Sequence, residues 1–202
     1  MDLEPAVLDF WFDFASTYSY VGAMQIEELC RAAGVPIRWK PFLLGPIFAR
    51  QGLRDSPFNV YPRRGAYMWR DLERLCHKHG FPWRQPTRFP RSSTLPARVA
   101  CLIADEPWCG DFVRRIFVAN FGEDREIGEL PVVAKILEEL GKPSELIGTA
   151  LDESHRGLLR TNTAQADALE LFGAPNCIVN GEIFWGEEAL ADAVEWARRP
   201  SA

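Results

Sequence analysis

The chain has 202 residues, 23 basic against 28 acidic for a formal charge of −5, with 47% hydrophobic and 25% charged residues, the proportions of a folded globular protein with room for one full domain or one domain carrying a large insertion. Its 13 Phe, 7 Trp and 4 Tyr exclude a disordered chain. No apolar run reaches the ~18 residues a membrane span needs, and the short basic doublets Arg63-Arg64 and Arg198-Arg199 are too sparse for a nucleic-acid partner.

Residues Val7 to Phe14 read as the first strand: Leu8, Phe10, Phe12 and Phe14 alternate with Asp9, Trp11 and Asp13, giving one strongly apolar face. Ala15 to Tyr20 is rich in cap formers, and Tyr20, Val21, Met24, Ile26, Leu29 and Cys30 then mark a helix that Gly34 closes. Pro36 to Phe42 is a second short strand. A right-handed crossover makes these two strands parallel.

From Leu44 to Leu158 the character changes. A loop-rich passage punctuated by Gly45, Pro46, Gly52, Pro57 and Pro62 precedes helical patterns over Tyr67–Gly80, Leu95–Ala104, Asp111–Phe121 and Pro131–Leu140, with a further helix starting at Pro143-Ser144-Glu145. No Gly/Ser linker frames these helices, so they are expected as an insertion and not as a tethered domain. Sheet patterning returns after Arg160. Thr161–Phe172 reads as a helix stopped by Gly173, and Asn176–Val179 and Glu182–Trp185 as strands joined by the hairpin signal Asn180-Gly181. Ala189–Arg199 is the last helix. The pattern predicts an α/β, thioredoxin-like, four-stranded mixed sheet, with residues 1–44 and 159–202 forming that domain and residues 45–158 an inserted helical domain.

The five cysteines (Cys30, Cys76, Cys101, Cys109, Cys177) form no C-x-x-C, and none stands at metal-ligand spacing with His77, His79 or His155. Reduced thiols and no metal are expected. The acidic start, Met1 to Pro5, lacks the character of a secretory signal, so a cytoplasmic protein is expected.

In this fold the first strand meets the N-terminus of the first helix, where unpaired N–H groups and a positive partial charge stabilise an anion. Redox members place C-x-x-C there, whereas this chain has Ser16-Thr17-Tyr18-Ser19. Serine cannot cycle through a disulfide. It can donate a hydrogen bond to a thiolate brought by another molecule and lower that thiol's pKa. The alternative is that Ser16 is only an N-cap. Pro175, in Gly173-Ala174-Pro175, occupies the position where such domains carry a cis-proline facing that helix, and the residue before it can pair with an extended tripeptide. Glu187 and Glu188 open the last helix at the same sheet end. There an acid could hold an α-ammonium group while free N–H groups hold the carboxylate beside it.

These residues carry a resemblance. Phe12-Asp13-Phe14-Ala15-Ser16-Thr17-Tyr18-Ser19-Tyr20 resembles the motif F-D-F-x-S-P-Y-S-Y. The match continues through Trp39 to Gly45, Tyr67 to Arg74, Phe172 to Pro175 and Phe184 to Glu188. The chain is similar, from about Val7 to Trp196, to the 2-hydroxychromene-2-carboxylate isomerases, relatives of the kappa-class glutathione transferases. The resemblance implies a DsbA-like thioredoxin fold, bound glutathione as cofactor, a small aromatic substrate and a homodimer. It places Ser16 on the catalytic serine, and Ser16, Ala174, Trp185, Gly186, Glu187 and Glu188 at the glutathione site. In the implied reaction the glutathione thiolate adds to the chromene hemiketal or its opened enone, a former double bond rotates, and the thiol leaves a trans hydroxybenzylidenepyruvate. Thr17 replaces the usual proline, Glu188 the usual aspartate, and Ala189 the arginine that usually follows. The substrate positions fall on Phe48, Phe58, Asn59 and Phe89, and Arg54, Arg64, Arg88 or Arg91 would supply a cation for a substrate carboxylate. A transferase using the same thiolate and a non-catalytic glutathione-binding protein are the alternatives.

Overall fold

The computed structural model describes residues 5–199; Met1 to Glu4 of the acidic start, and the outer ends of the two predicted sheet-bearing segments, lie outside the described residues. In chain order the elements are β1 (Leu8–Phe12), α1 (Thr17–Ala23), α2 (Ile26–Ala33), β2 (Ile37–Pro41), α3 (Leu44–Arg50), α4 (Pro57–Val60) and α5 (Pro62–His79). There follow α6 (Thr94–Leu102), α7 (Cys109–Phe121), α8 (Leu130–Glu139), α9 (Leu146–Leu151), α10 (Glu153–Ala168), β3 (Asn176–Val179) and β4 (Glu182–Trp185). A 3-10 turn, Glu187–Ala189, leads into α11 (Leu190–Ala197).

The strands form one sheet in the order β2-β1-β3-β4, with β1 parallel to β2 and antiparallel to β3, and β3 antiparallel to β4. The sheet is the expected mixed one. Asn180 and Gly181 both have positive φ, 52° and 84°, which gives the hairpin a twist that suits its strands. β1 departs from the one-faced reading. Phe10, Phe12 and Phe14 enter the larger core, while Trp11, pointing the other way, is equally buried against Phe42, Ile47, Leu171 and Ile178. A central strand covered on both sides buries both sets of side chains.

Four boundaries differ from the sequence reading. The first helix is two, because Met24 N–H closes α1 on the Tyr20 carbonyl and Gln25 N–H turns back to the Gly22 carbonyl, which tightens the turn between α1 and α2. The passage after Leu44 holds α3. Its first amide, Leu44 N–H, is capped at 2.7 Å by the Asp13 carboxylate, a group from another element. α5 starts at Pro62, where a missing N–H costs nothing. α10 begins at Glu153 and runs unbroken past residue 158, ending at Ala168 because Glu170 takes a left-handed φ of 57°.

The inserted helices and the sheet share packing. Phe117 of α7 lies 5.0 Å from Phe14 and 6.0 Å from Phe12 between ring centroids, and Asn120 Nδ2 donates to the Phe14 carbonyl at 2.9 Å. Each buried phenylalanine of this set contributes roughly 1.5–3 kcal/mol. This cluster fixes the chain directly ahead of Ser16. Among the described residues no helix is long and apolar enough to cross a membrane.

Candidate functional site

Ser16 closes the loop from β1 to α1. Its N–H donates to the Asp13 carbonyl at 2.9 Å, and its extended backbone (φ −84°, ψ 123°) makes it the N-cap of α1. The hydroxyl oxygen accepts from Ser19 N–H at 3.2 Å and donates its proton to the Ala174 carbonyl at 3.1 Å. The cap and a contact across the groove therefore coexist on one atom, since a hydroxyl has one proton and two lone pairs. Among the described residues the first-turn amides of Thr17 and Tyr18 have no protein partner.

The opposite wall is built by glycines with defined jobs. A Cβ at Gly173 would stand 2.8 Å from the Trp185 indole nitrogen, so only glycine lets that ring lie against the segment before Pro175. Trp185 in turn packs on Phe172, ring centroids 4.9 Å apart. Gly186 has φ 96°, a region open to glycine, and its N–H donates to the Pro175 carbonyl at 2.9 Å, which aims the chain into Glu187 and Glu188. The Ala174–Pro175 peptide bond is cis.

Between these walls lies a cavity of about 1450 Å³. Ser16, Ala174, Trp185, Phe48, Phe58 and Phe89 all line it, with Tyr18, Tyr61 and Phe172 adding to its aromatic character. Pro175, Gly186, Glu187, Glu188 and Asn59 are not among its lining residues. Asn59 is exposed, its amide donating to Asp55 at 3.0 Å and to the Phe89 carbonyl at 3.1 Å. Glu187 is half-buried in an acidic neighbourhood. Burial pushes its carboxyl above the ordinary range, and the charges of Glu188 and then Asp71 add to the rise. Asp71 accepts from the Tyr18 hydroxyl at 3.0 Å, linking this acidic group to a residue of the cavity.

The four arginines separate cleanly. Arg54 and Arg64 are exposed and line the cavity, Arg64 with its guanidinium 5.6 Å from the Tyr61 ring centre. Arg88 lies 3.6 Å from Glu126 and does not line it. Arg91 also lines the cavity, but its side chain is 2% exposed, paired with Asp124 and donating to Asn120 at 3.1 Å, so its charge already serves as a strut. That buried pairing leaves Arg54 and Arg64 as the exposed arginines of the cavity.

Asp13 is the group that the sequence reading left without a role. It is 3% exposed, lines the cavity, and accepts from Ala15 N–H at 2.9 Å and Leu44 N–H at 2.7 Å. Burial raises its pKa, opposed by those two amides and by a hydrogen bond with Ser93. Its signal in the sequence is an acid directly after the apolar end of β1, Phe10-Trp11-Phe12. The cysteines are all free, and burial pushes the Cys30, Cys76, Cys101 and Cys109 thiols up to about 12, far from a reactive thiolate. Among the described residues no three His, Cys, Asp or Glu side chains gather as a metal site.

The chain matches the DSBA-like thioredoxin domain family over residues 7–195. It is 28% identical over 188 residues to the 2-hydroxychromene-2-carboxylate isomerase of Sphingobium xenophagum, covering 91% of this chain and 93% of that one. It is 28% identical over 178 residues to glutathione S-transferase kappa 1 of Caenorhabditis elegans, covering 83% and 78%. A solved 2-hydroxychromene-2-carboxylate isomerase superposes with a TM-score of 0.83 at 23% identity, over 95% of this chain and 93% of that chain, a likeness of fold.

Proposed function

The chain belongs to the DSBA-like thioredoxin domain family, and on that premise we propose that it is a glutathione-dependent cis–trans isomerase of 2-hydroxychromene-2-carboxylate or a related aromatic keto acid. The observation that carries the reading is the Ser16 hydroxyl, poised 3.1 Å from the Ala174 carbonyl on the wall of an aromatic-lined cavity of about 1450 Å³. That volume exceeds the ~300–1,000 Å³ of ordinary small-molecule pockets, in keeping with a site for two ligands.

The residues present fit glutathione. Among the described residues the amides of Ala174, Thr17 and Tyr18 have no protein partner, as an extended anionic tripeptide requires. Glu187 and Glu188 would hold its α-ammonium group. When bound, glutathione supplies a nucleophilic sulfur that adds to and leaves a conjugated enone, so that a double bond becomes single long enough to rotate. Ser16 contributes by turning its proton from the Ala174 carbonyl to that sulfur, which favours the ionised form. Phe48, Phe58 and Phe89 hold a flat ring and exclude water, and Arg54 and Arg64 offer charge to a carboxylate. The cofactor is regenerated. The same reading takes the enzyme as a cytoplasmic homodimer.

A kappa-like transferase is the second reading, favoured by the likeness to the Caenorhabditis elegans protein. One pair of assays separates them. Turnover of 2-hydroxychromene-2-carboxylate with glutathione undiminished supports isomerisation, whereas stoichiometric glutathione loss to 1-chloro-2,4-dinitrobenzene supports transfer. No heat of binding in glutathione calorimetry would remove both, whereas binding without turnover in either assay would leave a non-catalytic glutathione-binding protein.

A further inference from the structure

Adjoining Ser16's cavity lies a second one, of about 310 Å³, into which four arginines converge from three helices: Arg50 of α3, Arg98 of α6, and Arg156 and Arg160 of α10. Two of them are matched. Arg50 pairs with Asp167, and Arg156 lies 3.1 Å from Glu153 while donating to the Leu151 carbonyl at 2.6 Å. Arg98 and Arg160 have no carboxylate partner among the described residues, and Arg98 Nε is buried without any hydrogen-bond partner. Four guanidiniums face two carboxylates, a local excess of two positive charges on a chain whose net charge is −5.

Folding alone does not favour this arrangement. Arg156 and Arg160 stand four residues apart on one helix, where like charges repel, and a buried N–H left unpaired is costly. An anion in the cavity resolves both. Guanidinium groups offer paired N–H donors in a fork that suits phosphate oxygens. The volume lies at the small end of ligand pockets, ~300–1,000 Å³, and Leu159 and Pro46 give the cavity an apolar side. We propose that this cavity binds a small phosphomonoester, with its dianionic group held by Arg98 and Arg160 and its organic part on the apolar side. The site stands apart from the glutathione reading, although Leu43, Pro46 and Thr94 line both cavities.

The test is titration calorimetry of the full chain with inorganic phosphate and with phenyl phosphate, at constant ionic strength. Saturable binding of both is expected, undisturbed by saturating glutathione. Arg160→Gln, an exposed position without partners, should fold normally and weaken phenyl phosphate binding at least about tenfold. Arg98→Gln should do the same. The proposal is overturned if neither probe binds, if glutathione displaces them, if Arg160→Gln leaves the affinity unchanged, or if chloride gives equal heats. Succinate binding as tightly as phenyl phosphate would overturn the phosphate assignment.

Discussion

Replacing Ser16 by alanine deletes one oxygen that holds two contacts and, in the proposed reaction, a third. The N-cap bond from Ser19 N–H at 3.2 Å contributes about 1 kcal/mol, and the bond to the Ala174 carbonyl at 3.1 Å a similar ~1 kcal/mol. Stability should therefore fall by about 1–3 kcal/mol, at ~2–4 °C of melting temperature per kcal/mol for a chain of this size. The effect on chemistry is separable. A hydrogen bond to a charged sulfur contributes about 1.5–3 kcal/mol, which at 1.36 kcal/mol per pKa unit raises the bound thiol's pKa by roughly 1–2 units. At neutral pH kcat/KM should drop about 10- to 100-fold, and the gap to wild type should narrow as pH rises. The thiolate absorbance of bound glutathione, followed against pH beside the isomerase rate, measures both quantities. An alanine variant that melts earlier yet keeps the wild-type thiol pKa and rate would reduce Ser16 to a helix cap.

Glu187→Gln should weaken glutathione binding and flatten its pH profile. The raised pKa of Glu187, caused by burial first and then by Glu188 and Asp71, means that wild-type affinity declines as pH falls through that raised value; identical profiles for both proteins would refute the assignment to the ammonium. Asp13→Asn keeps the shape but turns an amide donor toward Ala15 N–H or Leu44 N–H, a loss of about 1–3 kcal/mol in urea unfolding. Because burial raises the folded-state pKa of Asp13 above its ordinary 3.8, wild-type stability from this group is greatest in acid and falls as pH rises toward the raised value. That slope should be missing from the asparagine variant. Gly173→Ala would put a Cβ 2.8 Å from the Trp185 indole nitrogen, and Trp185, 56% exposed, has room to swing out. Glutathione affinity should fall about fivefold with little change in melting temperature, and unchanged affinity would mean that Trp185 does not wall the site.

Local chemistry made the strands, the Asn180-Gly181 hairpin and the cap at Ser16 legible, because each depends on neighbours in sequence. The misread parts depend on distant ones. α3 is capped by Asp13, 31 positions away, so nothing inside residues 44–50 announces a helix. Trp11 looked solvent-facing by alternation until a second apolar cluster covered it. Arg91 offered a charge that Asp124, Glu126 and Asn120 already engage. The aromatic positions Phe48, Phe58 and Phe89 came from the family pattern, and the structure draws them round the same space as Ser16. The four-arginine cavity has no signature in the sequence, since its arginines span positions 50 to 160.

The walls of the large cavity have two origins. Ser16, Ala174 and Trp185 come from the chain's ends, and the ring of Phe14 beside Ser16 is wedged against α7. Phe48, Phe58 and Phe89 come from short helices and a loop between β2 and α6. In the proposed reaction the first group handles the sulfur and the second the aromatic substrate, so exchanging Phe48, Phe58 or Phe89 would change the substrate taken while the Ser16 corner stays locked in place. Such a division would let one scaffold drift among substrates without having to reinvent the corner around Ser16.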